Sequence, residues 1–203
     1  MRHPRKIQLH GSIYPLHAIA FDLDSTLTRP YLDFTRLRQQ LHFPEGDILK
    51  WVATLPPEEQ RHAFHLIDAF EQDGVENVGW NDGAQETLAT VQAMGLPTAI
   101  VTRNSRASLL AVCQRLNITV DVLVAREDTP PKPDPVCLHY TARQLEVRIE
   151  HLVMVGDYRH DTDAGRAAGA RTVLLTNGRT PSWEVDADLV IHRLSELLLY
   201  IEE

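Results

Sequence analysis

Two aspartates one residue apart, Asp22 and Asp24 in the stretch AIAFDLDSTLT, stand where an apolar run gives way to a polar loop. A run rich in Ile, Ala and Phe suits a buried strand, so carboxylates at its carboxyl end emerge at the rim where open α/β sheets bind ligands. Alone, either aspartate is explained by capping a turn or a helix. Three more segments also follow predicted strands: Thr102-Arg103-Asn104, Lys132-Pro133-Asp134 ahead of a helix, and the stretch from Gly156 through Asp157 to Asp161. Singly, Thr102 reads as a helix-entry residue, Lys132 as a solvated lysine, and Asp157 and Asp161 as helix caps. Together the four segments converge on one rim.

The elements that must position them alternate. Strands are predicted at His17 to Phe21, Pro97 to Val101, Asp121 to Ala125, Leu152 to Val155, Thr172 to Leu175 and Leu189 to Ile191. Helical patterns fall between or after them: Ala84 to Met94, Ser105 to Leu116, Val136 to Leu145, Thr162 to Ala168 and Leu194 to Ile201, with Gly95, Asn117 and Gly169 as stops. This order predicts an α/β fold, a doubly wound parallel sheet covered on both faces by right-handed crossovers. Pro30 to Asn81 breaks the alternation with helix-period stretches at Phe34 to Leu41 and Glu58 to Glu71 and no convincing strand. It reads as a small α-helical lid with Pro56 and Pro57 starting its second helix and Gly74 and Gly79 as hinge or exit positions. The expected division is a core of residues 1–29 and 82–203 and a cap of residues 30–81.

The chain has 203 residues, 43% of them hydrophobic, and a formal charge of −8. Those values predict a soluble protein, and no apolar run is long enough to cross a bilayer. The excess of acid disfavours nucleic acid as a partner, because phosphate binding relies on clustered Lys and Arg. The stretch MRHPRKIQLHGSIYPLH has no apolar run behind its basic residues, so no signal peptide is expected and the location is read as cytoplasmic. Cys113 and Cys137 lack metal or redox spacing and suit ordinary thiols. His62 and His65 are helix-spaced but without an HExxH pattern or a Cys partner, which leaves them as solvated residues.

FDLDSTLT, VTRN, KPDP and VGDYRHDTDAGRAAGA, in that order, resemble the four motifs of the haloacid dehalogenase superfamily, in particular its phosphatase branch. The resemblance runs from about Leu16 to about Leu175, and the helical insertion lies where members similar to phosphoglycolate phosphatase carry a cap. It implies a Mg²⁺-dependent phosphatase acting on a small phosphorylated metabolite. Asp22 would be the nucleophile that becomes an aspartyl phosphate, and Asp24 the proton carrier to the leaving oxygen and from the attacking water. Thr102 and Lys132 would hold the phosphoryl group, with Leu23, Arg103 and Asn104 as further substrate-binding positions. Asp22, the backbone carbonyl of Asp24 and Asp157 would bind Mg²⁺, and Asp161 would meet the ion through water or orient Lys132. Without compensation, a phosphate dianion beside carboxylates costs about 4 kcal/mol per charge pair at 4 Å for an effective dielectric near 20.

The chain departs from the resemblance at Ser25, where Gly is usual, and at Arg29, which could meet an anionic substrate tail or be an ordinary surface arginine. A dehalogenase has no use for Asp24. A phosphomutase would keep it, and a phosphonate hydrolase would need a lid lysine, for which Lys50 is available. A noncatalytic phosphate-binding module is the alternative of another class. Asp163 is expected to lie inside a helix, outside the site, and Tyr158, Arg159 and His160 could line the pocket or lie on a surface loop. Arg36, Arg38, Trp51, Arg61, His62 and Trp80 are candidate specificity residues of the lid, though packing or solvation explains them as well.

Overall fold

The computed structural model describes residues 5–43 and 45–202. A hairpin comes first: β1 (Arg5–Leu9) pairs antiparallel with β2 (Ser12–Leu16). The sequence reading missed it because only β1 alternates cleanly, burying Ile7 and Leu9 while β2 is mostly exposed. His10 and Gly11, both at positive φ (47° and 76°), make a two-residue turn of the kind that matches strand twist.

The main sheet starts at β3 (Ala18–Phe21), and Asp22 is the residue that follows it. Three helices follow: α1 (Phe34–Gln40), α2 (Ile48–Val52) and α3 (Pro57–Val75). Asp33 and Asp47 cap the first two through their carboxylates, and Pro57 occupies the first helical position of the third, where its missing N–H costs nothing. These helices bury their own cluster of Leu37, Leu41, Val52, Ala63 and Ile67. The chain returns through α4 (Ala84–Ala93), β4 (Thr98–Val101), α5 (Arg106–Leu116), β5 (Val122–Val124), α6 (Val136–Gln144), β6 (Leu152–Gly156), α7 (Arg159–Ala168), β7 (Arg171–Leu175) and β8 (Leu189–Ile191). The six strands from β3 to β8 form one parallel sheet in the order β5-β4-β3-β6-β7-β8, so the α/β architecture is as expected.

Alternation along the strands sorts the two faces. Ile19 and Phe21 of β3 join Ile100, Val153 and Val155 in a cluster with Leu88 and Val91 of α4 and Leu109 of α5. Ala18 and Ala20 face the other way, with Val101, Leu152 and Met154, where their small side chains meet Leu138 of α6 and Ala164 and Ala168 of α7. The pairings Phe21 with Ile100 and Val155, and Val101 with Val124, bring the carboxyl ends of four strands level.

Two local expectations differ. Leu194–Tyr200 is a 3-10 helix that runs into β9 (Ile201–Glu202), which pairs with β1 instead of extending a helix. Gly74 lies inside α3, where an added Cβ would come within 2.5 Å of Leu32, so close packing of the segment before α1 against the helix explains that glycine. Among the described residues no helix is long and apolar enough to cross a membrane.

Candidate functional site

The backbone after β3 turns sharply. The Leu23 carbonyl accepts from the N–H groups of Leu27 and Thr28 and from the Thr28 hydroxyl, which folds the loop back on itself. Leu23 itself is wholly buried, so its side chain belongs to the core. Ser25 sits at φ 59°, the left-handed conformation glycine would adopt freely, so the departure at this position changes the residue and keeps the turn. Its carbonyl accepts from Asn177 Nδ2 (2.7 Å) and Asn81 Nδ2 (3.1 Å), two braces invisible in the sequence because they lie 152 and 56 residues away.

Asp22 and Asp24 emerge with different partners. Lys132, 2% exposed, donates from Nζ to Asp22 Oδ1 and to Asp161 Oδ1, each at 2.6 Å. Burial alone would lower the Lys132 pKa, but the charges of Asp161 and Asp22 outweigh it and hold the ammonium above its ordinary value. Asp161 uses its second oxygen to accept from the Tyr158 N–H at the start of α7 (3.1 Å). Its carboxyl group packs so tightly on Gly156 that a Cβ there would lie 2.1 Å away, which accounts for the glycine.

Asp24 Oδ2 accepts from Asn104 Nδ2 (2.7 Å), and the buried Tyr31 hydroxyl also faces the carboxylate. Burial raises the Asp24 pKa. Burial, then the Asp24 charge and the hydrogen bond to Asp24, push the Tyr31 pKa upward. Thr102 Oγ1 accepts from the Asn104 N–H (3.1 Å), which leaves its hydroxyl proton free to donate into the cleft. The residue after Asn104, Ser105, is held from α3. Glu71, 4% exposed, accepts from Ser105 N and Oγ (both 2.9 Å) and from Arg126 Nη1 (2.6 Å).

Asp22, Asp157 and Asp161 can each offer an oxygen within 4.8 Å of the others. Burial, then the charges of Asp22, Asp161 and Asp24, push Asp157 up to about 9, and burial is also the largest cause lifting Asp22 to about 7. Carboxylates crowded in this way fit a cation that would relieve their repulsion, and an oxygen-only donor set matches Mg²⁺. The Asp24 side chain is outside this group, turned toward Asn104.

A cleft of about 410 Å³ contains Asp22, Asp24, Thr102, Arg103, Asn104, Lys132, Asp157 and Asp161 in its wall, so the predicted polar residues gather on one rim. Tyr158 and His160 also line it, as does Arg38 of α1. Burial is the first cause lowering His160 to about 4. The other lid candidates do not reach the cleft. Trp51 stacks on Phe43 at 4.7 Å, Trp80 packs on the main core, Arg61 pairs with Glu58, and Arg36 and His62 are exposed. Arg29 packs over Gly79 and Asp163 is exposed on α7, neither lining the cleft. Lys50 lies on a separate outer groove. The Arg103 guanidinium is engaged by Asp47 of α2 and by the Lys132 carbonyl, a contact that sequence reading missed because an Asp before a short helix signals only a cap. Cys113 and Cys137 are free and buried.

A family model described as haloacid dehalogenase-like hydrolase matches residues 16–169. The chain is 31% identical to an uncharacterized hydrolase of Saccharomyces cerevisiae, over 85% of this chain and 83% of that one. It is 24% identical to a phosphoglycolate phosphatase of Chromobacterium violaceum, over 90% and 95% respectively. The crystal structure of a predicted phosphoglycolate phosphatase from Haemophilus somnus superposes with a TM-score of 0.73 at 19% identity, covering 91% of this chain and 97% of that one.

Proposed function

The chain belongs to the haloacid dehalogenase-like hydrolase family, and within it we propose a Mg²⁺-dependent phosphatase that hydrolyses a small-molecule phosphate monoester through an aspartyl phosphate on Asp22. The observation that carries this reading is the split between the two aspartates. Asp22 has one oxygen held by Lys132, whereas Asp24 is held apart from that ammonium by Asn104 and the Tyr31 hydroxyl. One carboxylate is therefore fixed as a nucleophile and the other is available to carry a proton.

In the first half-reaction an Asp22 oxygen attacks phosphorus, the bond from phosphorus to the ester oxygen breaks, and Asp24 gives its proton to the departing alkoxide. In the second, Asp24 takes a proton from water as that water attacks phosphorus, and the bond to Asp22 breaks to release inorganic phosphate. Lys132 holds Asp22 and balances charge on the phosphoryl oxygens, and the Thr102 hydroxyl donates to one of them. Asp22, Asp157 and the Asp24 backbone carbonyl would hold Mg²⁺, with Asp161 orienting Lys132. When bound, the cation neutralises phosphate charge beside the carboxylates. Residues 30–81 act as the lid over this rim, and the names of the relatives support a small phosphorylated metabolite as the substrate.

The test is release of phosphate from phenyl phosphate with and without Mg²⁺, with Asp22→Asn as control. Turnover lost in Asp22→Asn and in EDTA is the expected result. Undiminished activity in Asp22→Asn would remove the nucleophile assignment. A wild type inert on a broad phosphoester panel would favour a phosphate-binding module.

A further inference from the structure

The catalytic cleft is one of two neighbouring cavities. A second, of about 390 Å³, is lined by Pro130, Pro131, Pro133, Leu49 and Ala53, with Lys50 and Asp134 also in its wall. Asp47, Leu49, Arg103 and Lys132 line both. The wall they share is closed by a two-point ion pair. Arg103 Nη1 donates to Asp47 Oδ2 at 3.0 Å, and Nη2 donates to Asp47 Oδ1.

This pair is locked from both sides. Asp47 Oδ1 also accepts from the N–H groups of Leu49 (3.0 Å) and Lys50 (3.3 Å), which fixes it to the start of α2. Arg103 Nη1 also donates to the Lys132 carbonyl at 2.6 Å, and His160 Nε2 lies 3.4 Å from Asp47 Oδ2. The two side chains retain only 22% and 12% of their exposure. The pair therefore ties α2 to the loops that carry Thr102 and Lys132, and it stands between the phosphoryl site and the proline-lined groove. The inner chamber lies toward the small end of the roughly 300–1,000 Å³ range of small-molecule sites.

We infer that the Arg103–Asp47 pair is a partition that sets substrate length, confining the leaving group of the ester to a compact alcohol within the inner cleft. This rests on the phosphatase reading above. With the pair broken, the cleft and the groove become continuous, and the prolines with Leu49 and Ala53 offer an apolar path suited to an unbranched alkyl chain. Asp47 is then a specificity-determining residue that takes no part in the chemical steps.

The experiment compares kcat/KM for phenyl phosphate and n-octyl phosphate in wild type, Asp47→Ser and Asp47→Asn. Both replacements keep a side-chain oxygen to cap α2 while removing the charge that binds Arg103. Wild type is expected to favour phenyl phosphate at least tenfold. The octyl-to-phenyl ratio should rise tenfold or more in Asp47→Ser and less in Asp47→Asn, mostly through KM. An unchanged ratio in both variants with wild-type circular dichroism would overturn the partition, as would a wild type that already hydrolyses octyl phosphate as well as phenyl phosphate. Phenyl phosphate turnover that depends on Asp22 while the ratio stays flat leaves the phosphatase reading standing and removes the partition alone. No turnover of either ester removes both.

Discussion

Glu71→Ala should destabilise the protein by about 3 kcal/mol and weaken catalysis, although Glu71 belongs to α3 and makes none of the proposed phosphate contacts. Removing one partner of a buried ion pair costs roughly 3–5 kcal/mol, because the other charge is left uncompensated. Here Arg126 keeps Asp68 and the Arg103 carbonyl as partners, which sets the cost at the lower end of that range. Ser105 would lose the acceptor for both its N–H and its hydroxyl, and its neighbour Asn104 would lose the anchor that aims its amide at Asp24. With a urea slope of about 2 kcal/mol/M, the midpoint should fall by about 1.5 M. Burial outweighs Arg126 in setting the Glu71 pKa, which lies above its ordinary value, so Glu71→Gln should cost clearly less than Glu71→Ala. The assay is urea unfolding of Glu71→Ala, Arg126→Ala and the double variant, paired with kcat on phenyl phosphate. A loss below about 1 kcal/mol in Glu71→Ala, or strict additivity in the double variant, would refute the reasoning.

Ser25 in the left-handed region carries a strain of about 1–2 kcal/mol, and glycine would relieve it at a backbone-entropy cost of roughly 0.5–1 kcal/mol. Ser25→Gly should therefore move stability by less than about 1 kcal/mol, while Ser25→Val, β-branched at positive φ, should lower the melting temperature distinctly. Without metal, stability should fall as pH rises. Asp22 and Asp157 titrate near 7 and near 9 in the folded chain against 3.8 unfolded, so between those values the folded state holds protons the unfolded chain has released. The stabilisation is fully present below the unfolded value and is lost as pH climbs through the folded ones. Mg²⁺ needs both groups charged, so its added stabilisation should grow over the same window. Thermal melts in EDTA and in Mg²⁺ from pH 5 to 8 check this, and an unaltered EDTA slope in Asp22→Asn with Asp157→Asn would contradict it.

The parallel sheet was legible because its strands are short apolar runs, most of them beside a helix with a Gly, Asn or capping signal, and those signals act over a few residues. The hairpin of β1 and β2 was not, since Pro15 and mostly exposed positions leave β2 without a strong pattern, and its pairing is completed by β9 from the far end of the chain. Lys132 was legible as a candidate through KPDP, but nothing local shows that its ammonium lies between Asp22 and Asp161. Among the lid candidates, sequence could not separate Arg38, which lines the cleft, from Arg36 and Arg61, which do not. Helical period puts residues on faces without saying which face meets the core.

By itself the sequence determined the α/β order, the four loops that carry reactive side chains and the acidic character of the rim. Each of these is set by local patterning or by residue type. Only the tertiary structure decided which partners Asp22 and Asp24 each meet, the Asn81 and Asn177 brace on the Ser25 turn, and the Glu71 and Asp47 contacts that fasten helices to the loops of the cleft. Those depend on pairs separated by tens of residues, whose energies arise only when burial removes water from both partners at once.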